Sequence, residues 1–221
     1  MQELKGSFVA LVTPMKSNGE IDFPALKELV EWHIESGTHG LVSVGTTGES
    51  ATLNFNDHVK VLEKTISYIN NEIVAIAGTG ANSTDEAIEL NKAASSIGYE
   101  FALSVTPYYN KPNQLGLEAH YKKIADSSVI KNILYNVPSR TACDLEPETV
   151  NKLIHHENIV GIKEAVDDPK RYKALIKMAK NSSEPFYVLS GDDPTYFEFM
   201  KSGGDGVISV AANVIPAQVA K

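Results

Sequence analysis

Short apolar runs, each followed by a stretch with helical spacing, recur along this chain and constrain its fold more than any other feature. The runs are rich in β-branched residues and nearly free of polar ones, which is typical of strands buried on both faces of a parallel sheet. They lie at about 7–13, 40–44, 73–78, 101–105, 132–137, 158–163, 186–190 and 206–210. Eight strands alternating with helices favour a (β/α)₈ barrel, or TIM barrel, over an open doubly wound sheet.

The segments between the runs carry residues that start helices. Residues suited to cap a helix N-terminus are Asp22, Ser83, Asp168 and Asp193. A proline follows each of the last two, as is common in a first helical turn. The sequence stops at Lys221, a few residues after the eighth run. We therefore expect one barrel domain over residues 1–221, truncated at the start of its eighth helix, with the C-terminal helical segment missing.

Charge and composition exclude several classes of protein. The formal net charge is −8 at pH 7, whereas nucleic-acid binding usually needs a clustered basic surface. The longest basic run, from Lys170 to Lys177 and including Arg171, has helical spacing and is predicted to form a solvated face. One cysteine, Cys143, excludes an internal disulfide framework. No apolar stretch suits a signal peptide or a membrane span, so we expect a soluble cytoplasmic protein without nucleic-acid or membrane partners.

Lys163 is the first candidate for a reactive group, because it closes the apolar run 158–163. Reactive groups of barrel enzymes gather at the C-terminal ends of the strands. Strand alternation places Lys163 on the face of Ile159 and Gly161, and if that face points inward, burial lowers the pKa of the ammonium. A neutral amine can attack a carbonyl to give a Schiff base. The alternative is a strand-end lysine that extends into solvent.

Two further strand ends carry side chains suited to this chemistry. Tyr135 could pass protons to and from a carbinolamine, or be a core aromatic residue. Arg140 suits bidentate binding of a carboxylate, or a surface ion pair. The turn Gly45–Ser50 (GTTGES) could hold a small carboxylate with its amides and hydroxyls, or be an ordinary capped turn. The histidines show no metal-ligand spacing, and we predict no metal site.

Six motifs together, GTTGES, TPYYNKP, ILYNVPSRT, GIKEA, SGDD and GVISVAAN, resemble the dihydrodipicolinate synthase family of pyruvate-dependent class I lyases and aldolases. The resemblance runs from Gly6 to about Asn213, with the motifs in the order of the family. It implies that pyruvate condenses with aspartate 4-semialdehyde to 4-hydroxy-tetrahydrodipicolinate, in lysine and diaminopimelate biosynthesis. It implies no metal or organic cofactor, and a homotetramer built as a dimer of dimers.

The resemblance also implies a role for each matching residue. Lys163 would form the Schiff base, and Tyr135 would donate the proton in a relay with Thr46 and Tyr109. Tyr109 is expected to reach across from a neighbouring subunit. Three residues are expected to bind substrate: Thr47 at the pyruvate carboxylate, Ile208 through its backbone, and Arg140 at aspartate semialdehyde.

Two other functions remain as alternatives. A 2-keto-3-deoxy sugar-acid aldolase or a sialic-acid-type lyase would use the same Schiff-base lysine. Thr46 and Arg140 favour the synthase, because the sialic-acid lyases tend to carry Ser-Thr at positions 46–47 and lack that arginine. A non-catalytic barrel that binds a small molecule is the third hypothesis, and the set of reactive residues speaks against it.

Many members of the family have a lysine feedback site at a dimer interface. The positions that match it are Ser50, Ala51, His58, Asn82, Glu86 and Tyr108. Another position of that site, often histidine, is Phe55 in this chain. An apolar ring cannot replace the hydrogen bond of an imidazole, so we predict weakened or absent inhibition by lysine.

Overall fold

A computed structural model describes residues 2–221. Eight parallel strands close into a barrel in which each strand pairs with its neighbours in sequence and the eighth pairs with the first. The strands are β1 (Gly6–Ala10), β2 (Gly40–Ser43), β3 (Val74–Gly78), β4 (Phe101–Val105), β5 (Lys131–Asn136), β6 (Ile159–Glu164), β7 (Tyr187–Ser190) and β8 (Gly206–Ser209). Each overlaps one predicted run, and the predicted (β/α)₈ fold is confirmed.

Helices surround the barrel. They are α1 (Phe23–Glu35), α2 (Phe55–Ile69), α3 (Thr84–Ile97), α4 (Gln114–Asp126), α5 (Pro138–Thr141), α6 (Pro147–Leu153), α7 (Pro169–Lys180), α8 (Tyr196–Lys201) and α9 (Pro216–Ala220). Single 3₁₀ turns follow β2 at Ser50–Thr52 and β8 at Ala211–Asn213. No helix within residues 2–221 has the length and apolar character that crossing a membrane requires.

Three of the four predicted N-caps are confirmed. The side chains of Asp22, Ser83 and Asp168 accept hydrogen bonds from backbone amides in the first turns of α1, α3 and α7. The prediction for Asp193 is wrong, because α8 begins at Tyr196 and its N-cap is Thr195. The Asp193 carboxylate instead accepts hydrogen bonds from the amides of Val210 and Ala211, beyond the end of β8.

Apolar side chains fill the barrel interior and the layer between strands and helices. The interior cluster includes Phe8, Ile76 and Leu189, together with Tyr135. The β5–β6 register shifts by one residue, since Asn132 pairs with Ile159 and the next residue of β5 pairs with Gly161. This bulge changes the alternation of β6. Ile159 therefore packs in the outer layer, contrary to prediction.

One residue of the predicted solvated basic face is not solvated. The Arg171 side chain is only 11% exposed, and it forms ion pairs with Glu164 and Asp144. The two acidic partners lie in β6 and after α5, 7 and 27 residues before Arg171, so helical spacing within 170–177 could not reveal them. The prediction is wrong for Arg171 because tertiary contacts outweigh the local pattern.

Candidate active site

A cavity of about 250 Å³ opens at the C-terminal ends of the strands. It brings together Thr46, Thr47, Tyr135, Arg140 and Lys163. The other residues that line it are Val137, Ser139, Ala165, Gly191, Asp192, Asp193, Pro194 and Val210. This is the end of the barrel at which β/α loops carry reactive groups. Five of the seven residues predicted for catalysis and substrate binding therefore share one cavity.

Lys163 lies at the floor of this cavity and is 4% exposed. Burial lowers the pKa of its ammonium to about 7, the positive charge of Arg140 acts in the same direction, and the negative charge of Asp193 opposes both. The Lys163 Nζ is 4.3 Å from the centroid of the Tyr135 ring. A substantial fraction of this amine is therefore neutral near pH 7, and a neutral amine is the form that attacks a carbonyl carbon.

Tyr135 is next to Lys163 because β5 and β6 pair in register, with Tyr135 opposite Lys163. Burial raises the pKa of the Tyr135 phenol, while the Thr46 side chain and the charge of Arg140 act in the opposite direction. The phenol is thus protonated at neutral pH. A protonated phenol beside a neutral amine can donate a proton to an oxygen that leaves the amine-bound carbon.

The backbone that leads into the Gly45–Ser50 turn, beside the cavity, is closely packed. Val44, which precedes it, has φ of 52°, in the left-handed region that β-branched residues rarely adopt. Gly78 at the end of β3 permits this, because a Cβ there would lie 2.1 Å from the Val44 carbonyl oxygen. The Thr13 hydroxyl donates a 2.8 Å hydrogen bond to the Gly48 carbonyl. These contacts fix the turn that presents Thr46 and Thr47 to the cavity.

Asp193 is a cavity residue whose part in the site the sequence did not reveal. Its Oδ2 accepts hydrogen bonds of 3.0 and 2.9 Å from the amides of Val210 and Ala211. Its Oδ1 is buried and has no hydrogen-bond partner within the described part of the chain. The carboxylate thus joins the loops after β7 and β8 and puts a negative charge near Lys163.

Two predicted site residues do not line the cavity. Tyr109 is 89% exposed and has φ of 74°. Ile208 is buried in β8, where it packs in the barrel interior with Tyr135. Val210, two residues after Ile208, does line the cavity. In the single chain the Tyr109 side chain is therefore exposed, and Ile208 lies in the barrel interior below the cavity.

The residues predicted for lysine binding are partly brought together. Ser50, Ala51 and Tyr108 line a second cavity of about 340 Å³, which shares Thr46 and Arg140 with the first. Nearby, the Asn82 side chain donates a 3.3 Å hydrogen bond to the Tyr108 carbonyl, and the charge of Glu86 adds to the effect of burial in raising the pKa of the Tyr108 phenol.

The other two positions predicted around the lysine site lie apart from this cavity. The His58 ring is buried, with Nε2 2.7 Å from the Gly78 carbonyl oxygen. Phe55 is 43% exposed at the start of α2. Neither residue lines the second cavity in the single chain.

Comparison with known proteins identifies the family. The model of the dihydrodipicolinate synthetase family matches residues 3–221. The chain belongs to the dihydrodipicolinate synthetase family. Its curated relatives include the 4-hydroxy-tetrahydrodipicolinate synthases of Ruthia magnifica, 56% identical over 98% of this chain and 72% of that protein, and of Teredinibacter turnerae, 53% identical over 98% and 74%.

A solved structure of the dihydrodipicolinate synthetase family has the same fold. The chloride-inhibited dihydrodipicolinate synthase of Acinetobacter baumannii, solved with pyruvate, superposes with a TM-score of 0.95 at 51% identity. The match covers 99% of this chain and 74% of that one. The resemblance inferred from the six motifs is confirmed, and so is the prediction of a Schiff-base-forming lyase.

Proposed function

We propose that this chain condenses pyruvate with aspartate 4-semialdehyde to give 4-hydroxy-tetrahydrodipicolinate, in lysine and diaminopimelate biosynthesis. The observation that carries the proposal is the buried Lys163 amine, with its pKa lowered to about 7, beside the Tyr135 phenol. Membership of the family and relatives that bear the name 4-hydroxy-tetrahydrodipicolinate synthase support the same reaction.

In the proposed mechanism the neutral Lys163 amine attacks the carbonyl carbon of pyruvate. Thr47 and the amides of its turn hold the pyruvate carboxylate, and Tyr135 protonates the departing hydroxyl, so that water leaves and a Schiff base forms. The Tyr135 phenolate then takes a proton from the methyl group, which gives an enamine. The enamine carbon attacks the aldehyde of the second substrate, and Tyr135 returns the proton to the aldehyde oxygen. The amino group of that substrate then attacks the imine carbon, which closes the ring and releases Lys163.

Borohydride reduction in the presence of pyruvate tests the covalent step. We expect peptide mass spectrometry to find a reduced pyruvyl adduct on Lys163, and Lys163→Ala to lose both the adduct and several orders of magnitude in kcat. Circular dichroism confirms that the variant is folded. Pyruvate binding without trapping by the folded parent protein would instead favour a non-catalytic binding barrel.

Arg140 separates the synthase from a sugar-acid aldolase. We propose that its guanidinium, exposed at the mouth of the cavity, binds the carboxylate of aspartate semialdehyde. Arg140→Ala should raise the KM for the semialdehyde by about 10- to 100-fold, because a charge-assisted bidentate pair is lost, and leave pyruvate trapping intact. An unchanged KM for the semialdehyde, with activity on 2-keto-3-deoxy sugar acids, would favour the aldolase.

We also propose a single catalytic domain over residues 1–221 that acts as a cytoplasmic homotetramer, in which Tyr109 completes the proton relay of a neighbouring subunit. The 89% exposure of Tyr109 supports this, because an aromatic side chain so exposed is available to another molecule. Tyr109→Phe should lower kcat while Lys163 remains competent for slow trapping by pyruvate. Sedimentation measures the assembly of parent and variant, and equal assembly separates the relay from a packing role.

For regulation we propose that lysine inhibits weakly or not at all, because Phe55 cannot donate or accept the hydrogen bond of an imidazole. A lysine titration of the parent protein should show little inhibition, and Phe55→His should increase it. Strong inhibition of the parent protein by lysine would contradict this part of the proposal.

A further inference from the structure

A buried network of charged and amide side chains lies behind the active site, on the outer face of β5 and β6. Tyr135 pairs with Lys163 and faces the cavity, whereas the next pair in register, Asn136 with Glu164, faces outward. The Asn136 side-chain amide donates to the Glu164 carboxylate at 3.1 Å. The network thus begins one residue beyond each of the two reactive groups.

Arg171, in the first turn of α7, connects this strand pair to the segment that follows α5. Its Nε donates to Glu164 at 2.8 Å, and the Glu164 side chain is fully buried. Its other two nitrogens reach both oxygens of Asp144, at 3.0 and 2.9 Å, and Nη2 also donates to the Leu145 carbonyl. One planar guanidinium therefore holds two carboxylates and a carbonyl in fixed relative positions.

The segment 137–145, which carries Arg140, is fixed in its middle and at its end. In the middle the Thr106 and Thr141 hydroxyls are 3.2 Å apart, which ties the segment to the residue that follows β4. At its end Asn136 accepts from the Leu145 amide at 2.9 Å and donates to Asp144 at 2.9 Å. The ion pair between Arg171 and Asp144 is the only salt bridge at this end among the described residues.

The network places charged side chains in the protein interior, where removing a charge from water costs free energy. Burial raises the pKa of Glu164, and the charge and hydrogen bond of Arg171 oppose that shift. Well-packed apolar residues often stabilise a fold as well as a buried ion pair does. This buried pair also contacts the segment that carries a substrate-binding arginine. The pair therefore indicates a role in fixing the position of that segment.

We propose that Arg171 and Asp144 are positioning residues, which hold the 137–145 segment so that the Arg140 guanidinium meets the carboxylate of the second substrate. The inference rests on the proposed function, since it needs the role of Arg140 there. Pyruvate capture by Lys163 precedes that contact, so the ion pair acts on the second substrate and not on the first. Misplacement of a binding group by about 1 Å can cost as much as 100-fold in rate.

A double-mutant cycle with Asp144→Asn and Arg140→Ala tests this assignment. Asp144→Asn removes one charge from the pair, and the segment keeps its other anchors, including the 2.7 Å hydrogen bond from Gln114 to the Asp144 carbonyl. We expect the KM for aspartate semialdehyde to rise by about tenfold, with kcat and pyruvate trapping within about twofold of the parent. In the Arg140→Ala background Asp144→Asn should add nothing, because the group that it positions is gone.

Asp85→Asn is the matched control, since Asp85 forms a 2.7 Å ion pair with Lys123 on the exposed surface. It should leave every parameter unchanged. Arg171→Lys, which keeps the charge but cannot grip both carboxylates, should reproduce Asp144→Asn, with its folding checked by circular dichroism.

Three results would overturn the inference: an unchanged KM in folded Asp144→Asn, an equal rise with and without Arg140, or parallel loss of pyruvate trapping. An Arg140→Ala protein with an unchanged KM for the semialdehyde would overturn the proposed role of Arg140 as well. That result separates failure of the proposed function from failure of the ion pair alone.

Discussion

At the scale of single residues, the reactivity of Lys163 depends on opposing influences. Burial and Arg140 lower the pKa of its ammonium, whereas Asp193 raises it, and the adjacent Tyr135 is protonated at neutral pH. Asp193→Asn removes the raising influence and keeps an oxygen that accepts from the Val210 and Ala211 amides. The pKa of Lys163 should then fall below its present value of about 7, which leaves more neutral amine at acidic pH.

The acid limb of the pH profile for pyruvate trapping should therefore move to lower pH in Asp193→Asn. Asp192→Asn is the matched control, because Asp192 lines the same cavity but its carboxylate is bound to Thr195. A limb that stays in place in folded Asp193→Asn would show that this carboxylate does not act on Lys163.

Residues whose roles follow from a position near a strand end could be predicted from the sequence. Residues whose roles depend on partners far along the chain could not. Tyr135 and Lys163 lie at the C-terminal ends of β5 and β6, and Arg140 follows β5. Because reactive groups of a barrel gather at these ends, the sequence predicts that the three lie near one another. Asp193 has the local pattern of a helix cap, yet its partners lie 17 and 18 residues further on. No local pattern distinguishes these two uses of a carboxylate.

At the scale of elements, the sequence predicts the strands but not the alternation of side chains in β6. Near-continuous apolar runs marked all eight strands because a strand buried on both faces has no polar side. The bulge between β5 and β6 gives no such signal, so the sequence predicts Ile159 and Lys163 on one face, whereas Ile159 packs in the outer layer and Lys163 lines the cavity. The alternation of side chains along a strand shows that two residues share a face only when no bulge lies between them.

The junction of β2 and β3 yields a prediction about stability. A Cβ on Gly78 would lie 2.1 Å from the Val44 carbonyl oxygen, so Gly78→Ala must displace the turn that presents Thr46 and Thr47. We expect a loss of roughly 1–3 kcal/mol in the free energy of unfolding, measured by urea titration. In the control Gly45→Ala the new Cβ would meet only Val42 Cγ1, at 3.4 Å, and should cost much less. Equal losses in the two variants would contradict the close-approach argument.

At the scale of the whole molecule, buried histidines make the stability of the barrel depend on pH. The His33 ring is fully buried, and neither nitrogen has a hydrogen-bond partner within residues 2–221. Burial lowers its pKa from 6.5 to about 4, and burial does the same for His120. Because both folded-state pKa values lie below the unfolded value, the full stability is present above pH 6.5 and is lost as the pH falls toward 4.

Substitution of His33 should remove its share of this dependence. A shift of that size corresponds to about 3 kcal/mol between pH 7 and pH 4, at 1.36 kcal/mol per pH unit. We expect His33→Leu to flatten the decline in unfolding free energy, measured by urea titration at pH 8, 6 and 4.5, because leucine has no buried nitrogen to protonate. His155→Leu is the matched control at an exposed position and should follow the parent. A His33→Leu protein whose stability still declines as steeply as the parent's would show that acid sensitivity arises elsewhere, with the buried ring of His120 as the next group to replace.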